Sequence, residues 1–253
     1  MRKGQRKHQK RISVGKAFNV LRKESTWIIK QETGAHSKQN SITLGIALRD
    51  LLKIASNMKE IKALLNKGEV TVNGIKRKEP GFTIGLFDLI KIKNIESAYR
   101  VLIDSKSRIY LKQIDFKEKE FKVSRIKVKK IIKTGITQVT TEDGFNFKVK
   151  ETKLKVNDSV KIDFPEIKIS EELPLKENSI VLIVKGTHVG QIAKIKEITA
   201  GNQKRSSLIL LEHKKESFQT TIDNIVVIGI AKPLIEVDLQ WVKIKWEKSL
   251  LTR

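Results

Sequence analysis

The sequence predicts an α+β protein that is built from several small domains. Helical periodicity is confined to residues 42–66, where apolar side chains recur every three or four positions. From Val70 onward the period changes to two, the pattern of half-buried β-strands, and turn signals interrupt it at short intervals. Since 39% of the 253 residues are hydrophobic and 32% are charged, the chain can form several cores, each of them small.

The charge pattern of residues 1–41 predicts a basic N-terminal arm. The cations that open it, from Arg2 to Lys16, have no acidic residue among them. The apolar side chains of the arm are too few to form a core of their own. We therefore expect the arm to be disordered alone and to become ordered when its charges meet phosphates.

Residues 42–104 predict a small helix–sheet domain. An apolar stripe from Leu44 to Ala55 marks the buried face of a first helix. A second helix follows, and an alternating strand then begins at Val70. The signals that delimit these elements are the capping-box pair Asn57 and Glu60, the helix-ending Gly68 and the hairpin turn Asn73-Gly74.

The remainder of the chain predicts strands and no long helix. Residues 105–173 are predicted to form a central β-rich domain, and residues 174–230 a second strand-rich unit. An acidic, proline-containing stretch at 163–177 predicts a linker between them. Residues 231–253 form a C-terminal extension in which tryptophans stand among lysines.

The charge balance points to a polyanionic partner. The chain holds 52 lysines and arginines against 28 acidic residues, a formal net charge of +24 that repels itself in the compact state. A membrane surface is the weaker candidate, because no apolar stretch approaches the roughly 20 residues of a spanning helix. No secretory signal is recognisable, and the absence of cysteine excludes disulfide scaffolds and thiolate sites. Nucleic acid is the expected partner, in the cytoplasm.

Two segments resemble known RNA-binding modules. The pair Arg49 and Lys53, followed by residues 68–74 (GEVTVNG) and 85–90 (GLFDLI), resembles the RNA-binding domain named after bacterial ribosomal protein S-four. Residues 179–192 resemble a KOW motif, with Gly190 as its hallmark glycine. These resemblances imply a helix–sheet RNA-binding domain at 42–104 and a KOW-type, SH3-like β-barrel at 174–230.

The order of the segments extends the resemblance over essentially the whole chain. Residues 3–11 come first, Gly34-Ala35-His36 follows, and residues 155–160 and 223–229 come after the first domain. This order is similar to the e-type ribosomal protein S-four family of archaea and eukaryotes. The resemblance implies a structural component of the small ribosomal subunit that binds ribosomal RNA, contacts neighbouring ribosomal proteins and supports assembly and translation.

The same RNA-binding domain also occurs in RNA-modifying enzymes, so an enzyme is one alternative function for this chain. The sequence contains neither the catalytic aspartate loop of pseudouridine synthases nor a glycine-rich phosphate loop. Its four histidines lie in separate segments without metal-ligand spacing. We expect no catalytic site, metal, cofactor or small-molecule substrate. A transient assembly factor or RNA-modifying enzyme is the alternative, and a transcription elongation factor is a third.

The candidate RNA contacts are the basic side chains of the arm and of the two modules. Arg49 and Lys53 are spaced one helical turn apart, and the free N–H groups at the start of the second helix favour phosphate beside its lysines. Aromatic residues make up only 6%, so recognition is expected through phosphates and RNA shape more than through base stacking. The predicted RNA-binding residues are Arg2, Lys3, Arg6, Lys7, His8, Lys10, Arg11, His36, Arg49, Lys53, Lys59, Lys62, Lys67, Asn73, Lys76, Arg77, Lys185 and His188.

Overall fold

Three antiparallel β-sheets of five strands each are the main secondary structure of the protein in a computed structural model. The structure describes residues 8–93, 97–114, 120–132, 135–149, 153–202, 206–213 and 216–237. Two short α-helices precede the first sheet, so the α+β expectation is confirmed with a strong bias towards β. Within the described residues, no helix is both long and apolar enough to cross a membrane.

Within the whole chain the described part of the N-terminal arm is folded without phosphates, whereas the sequence predicted only that the arm is disordered alone and orders on meeting them. Strands β1 (Gln9–Lys10) and β2 (Trp27–Ile28) form an antiparallel ribbon. Between them Val14, Ala17 and Phe18 are buried in the first hydrophobic core. These three apolar residues are too few to make a core alone, but they suffice to dock the arm on a core that the following domain supplies.

The first helix is shorter than its apolar stripe. Helix α1 (Leu44–Ile46) continues directly into one turn of π-helix, Ala47–Leu51, and the chain then turns at Lys53. Lys53 has φ +54°, the left-handed conformation that ends helices, and the Ile54 N–H donates back to the Leu48 carbonyl at 3.0 Å. The predicted helical register from Arg49 to Lys53 is therefore wrong, because the helix ends between them.

The second helix and the hairpin after it follow the sequence signals. Helix α2 (Met58–Asn66) begins at the predicted capping pair, where the Glu60 carboxylate accepts the Asn57 backbone N–H at 3.4 Å. Gly68 ends it with φ +71°, and Asn73 and Gly74 have φ +50° and +77°, as a two-residue hairpin requires.

The first sheet has the order β5-β4-β7-β8-β9, and a two-stranded ribbon, β3 with β6, lies beside it. The predicted domain boundary at residue 104 falls inside the β8–β9 hairpin, so this sheet continues to Gln113. The arm reaches the same strand, because the Ile109 N–H donates to the Ala17 carbonyl at 2.9 Å. The strands are β3 (Ile42–Thr43), β4 (Val70–Val72), β5 (Ile75–Lys76), β6 (Thr83–Ile84), β7 (Leu89–Ile92), β8 (Ser97–Ile103) and β9 (Ile109–Gln113).

The central sheet has the order β12-β11-β10-β13-β14. Its last strand, Lys168–Leu173, forms the middle of the stretch predicted as a linker, which is a correction. Two of the acidic residues that suggested a linker, Glu171 and Glu172, are exposed on this edge strand, whereas Leu173 is buried. The strands are β10 (Phe121–Ile131), β11 (Thr137–Thr141), β12 (Asn146–Val149), β13 (Ser159–Asp163) and β14 (Lys168–Leu173).

The third sheet has the order β18-β17-β16-β15-β19 and packs against both earlier units. Phe87 of the first unit and Val123 of the central sheet are buried in its core. The Arg125 guanidinium also donates to the Asp223 carbonyl at 3.1 Å, which ties the central sheet to this unit. The strands are β15 (Ile180–Ile183), β16 (Ile192–Thr199), β17 (Leu208–His213), β18 (Glu216–Thr221) and β19 (Ile225–Gly229).

The predicted C-terminal extension begins as part of this third unit. Ile235 is fully buried in its core, and the Leu234 N–H donates to the Ile228 carbonyl at 2.9 Å. The tryptophans of the extension, Trp241 and Trp246, lie outside the described residues.

Candidate nucleic-acid interface

A charged cleft lies between the arm and the first helix. It has a volume of about 420 Å³ and brings together cations from two segments that are distant in sequence. We call it the Arg49 cleft, and it is lined by Arg11, Glu24, Ser25, Arg49, Asp50, Lys53, Ala55 and Ser56. Arg49 and Lys53 thus share a surface, as predicted, although the turn at Lys53 rather than a common helix face brings them together.

Arg49 is paired within the cleft by its chain neighbour. Its guanidinium donates to both carboxylate oxygens of Asp50, at 2.8 and 3.0 Å. Its hydrogen bond to the Asp50 carboxylate raises the pKa of Arg49 above its ordinary value. The pair is partly exposed, so water competes for both groups and a phosphate can replace the carboxylate.

Arg11 has an internal role, which corrects its prediction as a phosphate ligand. Its side chain is buried and closes the loop of the arm by donating to the Leu21 carbonyl, to Ser25 Oγ at 3.2 Å and to Glu24 at 2.9 Å. These hydrogen bonds hold the loop of the arm together. The signal that could have revealed this role is Glu24, a carboxylate in a segment that is otherwise basic.

The start of helix α2 is already occupied by an anion. The Glu60 carboxylate accepts the backbone N–H of Ser56 at 3.0 Å, besides that of Asn57. A second negative charge is less favoured beside this carboxylate, so the helix start is a weaker phosphate site than the sequence alone suggested. The lysines nearby remain on the surface as predicted: Lys59, Lys62 and Lys67 on or after the helix, and Lys76 on β5, are all exposed.

A second cluster of charges is buried where the arm, the first unit and the central sheet meet. We call it the Asp88 network. Lys122 Nζ lies 2.5 Å from Asp88 Oδ1 and 2.7 Å from Asp143 Oδ2, and its side chain is fully buried. His36 Nε2 lies 3.0 Å from Asp88 Oδ2. Two carboxylates thus face one lysine and one histidine, and the network is neutral when His36 carries its proton.

The first unit supplies the remaining donors of the Asp88 network. The Asn73 amide donates to Asp88 Oδ1 at 2.7 Å, and its Oδ1 accepts the Leu89 N–H at 2.9 Å. The Gly85 N–H donates to Asp88 Oδ2 at 2.7 Å, and a side chain at Gly85 would collide with the His36 ring. His36 and Asn73, both predicted to contact RNA, therefore have internal partners instead.

Opposite charges in the Asp88 network outweigh the cost of burial. Burial acts to raise the pKa of Asp88, but the charges of Lys122 and His36 and the hydrogen bonds from His36 and Asn73 lower it well below its ordinary value. Burial acts to lower the pKa of His36, yet the charge and hydrogen bond of Asp88 raise it. The pKa of Lys122 is likewise raised by Asp143 and Asp88 against the effect of burial.

Asp88, Lys122 and Asp143 were missed by the sequence reasoning. Asp88 stands in an apolar run, residues 84–92, and a lone carboxylate there is the signal that could have found it. No local pattern marks Lys122 or Asp143, since their partners are distant in the chain.

The other predicted residues lie apart from the Arg49 cleft and the Asp88 network. His8 and Lys10 are exposed on the β1–β2 ribbon, and Arg77 is half-buried with its guanidinium 4.3 Å from the centre of the Phe82 ring. Lys185 is exposed in the third unit, where His188 stacks on Phe218 with ring centres 4.0 Å apart. Arg2, Lys3, Arg6 and Lys7 lie outside the described residues.

The described part of the chain brings together no three histidines or carboxylates in a geometry that could hold a metal ion. Its cleft and surface lysines are instead suited to hydrogen-bonded contact with phosphate oxygens.

Two family models match this chain. The model described as ribosomal family S4e matches residues 95–169, and the one described as the RS4NT (NUC023) domain matches residues 3–39. The second match coincides with the arm that forms the β1–β2 ribbon and contributes Arg11 and His36. The first coincides with the end of the first sheet and most of the central one.

Relatives align with nearly the whole chain. The small ribosomal subunit protein eS4 of Methanosphaera stadtmanae is 37% identical over 92% of this chain and 97% of its own length. That of Methanothermobacter thermautotrophicus is 35% identical over 92% and 96%. The crystal structure of the 30S ribosomal protein S4e from Thermoplasma acidophilum superposes with a TM-score of 0.65 at 28% identity, covering 75% of this chain and 95% of that one. Because such relatives span almost its full length, the chain belongs to the S4e family of ribosomal proteins.

Proposed function

We propose that this protein is a structural constituent of the small ribosomal subunit and binds ribosomal RNA there. The observation that carries the proposal is the 37% identity to a small-subunit protein over 97% of that relative's length. The net charge of +24 supports it, because RNA is the polyanion that such a subunit supplies. The family consists of structural ribosomal proteins, so the enzyme alternative is not favoured.

RNA contact is proposed at several separate surfaces. The arm, the Arg49 cleft, the exposed lysines of helix α2 and strand β5, and Lys185 in the third unit each present cations to solvent. Several modest contacts on one rigid protein strengthen each other through effective concentration. The partners would be helices of the small-subunit RNA and the ribosomal proteins next to them, on ribosomes in the cytoplasm.

For the domains, we propose an RNA-binding arm at 1–41, an S-four-type domain that starts at 42 and continues past its expected end at 104 to Gln113, a central β domain that ends at 173, a KOW-type barrel that starts at 174 and includes Ile235, and a C-terminal extension after it. The barrel is supported by the five-stranded third sheet and by Gly190, which has φ +82°. A Cβ at Gly190 would lie 3.2 Å from the backbone of Asp104, so both conformation and space favour glycine there.

The test is sedimentation of lysate from cells that carry a tagged copy of the protein. A structural constituent should travel with mature small subunits and polysomes and stay bound at moderate salt. Ribonuclease treatment serves as the control and should release it. A transient assembly factor would be confined to immature particles, and a protein that sediments alone at physiological salt would contradict the proposal.

A further inference from the structure

The β1–β2 ribbon carries an exposed aromatic pair. Trp27 is 56% exposed, and the centre of the His8 ring lies 5.7 Å from the centre of its indole, at an interplanar angle of 57°. An indole has a large apolar face whose burial is favourable, so one left in water is available for a partner. The backbone of Trp27 is held in place, because it pairs with Lys10 in the ribbon and Arg11 binds Glu24 in the loop that precedes it.

The surroundings of the pair are strongly positive. Residues 8–30 contain six cations and one carboxylate, Glu24, which is engaged with Arg11. Four of the six cations are exposed: Lys10, Lys16, Arg22 and Lys23. The field around Trp27 thus attracts an anionic partner, and the aromatic face attracts a flat one.

We propose that Trp27 and His8 form a stacking site for an unpaired nucleotide base of RNA, with Lys10 placed to meet a phosphate beside it. Nucleic acid is the one common macromolecule that combines flat aromatic groups with a dense negative charge. The centre of a protein interface, in contrast, is depleted of lysine. The proposal rests on the RNA-binding function above and adds the chemistry of one contact to it.

Exposed aliphatic side chains near the ribbon suggest a competing explanation, which is contact with a protein. Ile12 is 68% exposed and Leu21 is 60% exposed, so this face could instead cover a neighbouring protein. A protein contact depends on apolar area, whereas base stacking depends on an aromatic face. Leucine at position 27 keeps an apolar surface but has no aromatic face, so it separates the two explanations.

The experiment measures binding of the full-length protein to a transcript of small-subunit ribosomal RNA at several salt concentrations. Trp27→Ala and Trp27→Leu should both weaken binding, by about 5- to 150-fold, because the stacking of one base is removed. The slope of log affinity against log salt should not change, since every phosphate remains neutralised. Trp27→Phe keeps an aromatic face and should retain most of the affinity, and Leu21→Ala is the matched aliphatic control, expected to bind like wild type.

The outcomes separate this proposal from the one it rests on. Wild-type protein that does not bind the transcript would overturn the RNA-binding function itself. Wild-type binding with an unchanged affinity in Trp27→Leu would overturn only the stacking site, as would a loss of affinity in Leu21→Ala equal to that in Trp27→Leu. A direct readout uses protein carrying Trp241→Phe and Trp246→Phe, in which Trp27 is the one indole. RNA should quench its fluorescence, and unquenched emission at saturating RNA would overturn the proposal.

Discussion

The Arg49 cleft and the Asp88 network are made of the same kinds of side chain and differ in their access to water. In the cleft, Arg49 pairs with the adjacent residue in sequence, Asp50, and both remain partly exposed. In the network, Lys122 is fully buried between two carboxylates, Asp88 and Asp143, that come from distant parts of the chain. Exposed ion pairs contribute about 0–1 kcal/mol to stability. A buried charge that loses its partner costs several times more.

This difference assigns opposite roles to the two clusters. A hydrated pair can exchange a carboxylate for a phosphate at little cost, which suits a surface that binds RNA. A buried network cannot make that exchange without opening the packing between the arm, the first unit and the central sheet. Removing a charge from the Asp88 network should therefore reduce stability and leave RNA affinity nearly unchanged. Removing a charge from the Arg49 cleft should reduce RNA affinity and leave stability nearly unchanged.

The largest effect is expected from Lys122→Met. It leaves Asp88 and Asp143 buried without their shared cation, which should lower the free energy of unfolding by about 3–5 kcal/mol. Urea denaturation measures this. Lys127→Met changes an exposed lysine of the same strand and should stay within about 0.5 kcal/mol of wild type. Adding Asp143→Asn to Lys122→Met should recover part of the stability, and equal destabilisation at positions 122 and 127 would remove the distinction between the two regions.

Asn73→Gly tests the hydrogen bonds of the network separately from its charges. Glycine adopts the φ of +50° at position 73 without strain, so the variant isolates the effect of the amide bonds to Asp88 and Leu89. Unfolding should become easier by about 1–3 kcal/mol. RNA affinity should remain close to that of wild type. A weaker affinity with unchanged stability would instead return Asn73 to the RNA surface.

The pH dependence of stability tests the charge state of the Asp88 network. Because the folded pKa of His36 is raised, its contribution is complete below about pH 6.5 and is lost as pH rises through the folded pKa, by at most about 1.4 kcal/mol per pH unit. Asp88 has a lowered pKa, so its contribution is present above about pH 3.9 and is lost as pH falls through the folded pKa. The stability difference between wild type and His36→Gln, measured by urea denaturation at several pH values, should shrink above pH 6.5. A constant difference across that range would show that His36 does not titrate in the network.

The smallest effect on stability is expected from Arg49→Gln combined with Lys53→Gln. Both side chains are on the surface of the cleft, so the unfolding free energy should change by about 0.5 kcal/mol or less. RNA affinity should fall, and the salt slope should become shallower by about 0.9 for each phosphate that the protein no longer neutralises. Lys168→Gln, on the edge strand of the central sheet, is the control and should leave the slope unchanged. An unchanged slope in the double variant would place the RNA surface elsewhere.

Local signals in the sequence predicted local structure well. Asn57 with Glu60, Gly68 and Asn73-Gly74 each act within a few residues, and all three features appear where they were expected. The alternation from Val70 onward also predicted the β-rich character of the chain. The extent of the first helix was wrong because the apolar stripe continues past Lys53, where the backbone turns.

Contacts between distant segments could not be predicted in the same way. A basic residue is exposed or buried according to whether another segment brings it a carboxylate. Arg11 pairs with Glu24, and Asp88 pairs with both His36 and Lys122. These partners are so far apart in sequence that helix or strand periodicity cannot indicate the contact. The candidate site was therefore predicted as a set of cations, and the structure divides that set into an exposed group and an internal one.

The docking of the arm on strand β9 has a consequence for the order of events during synthesis. The Ala17 carbonyl accepts a hydrogen bond from Ile109, and Phe18 is buried in the core of the first unit. The arm leaves the translating ribosome before strand β9 is made, so it must wait for that strand before it can fold. During that interval a chain rich in lysine and arginine is exposed among nucleic acids, so correct folding depends on the arm avoiding premature capture.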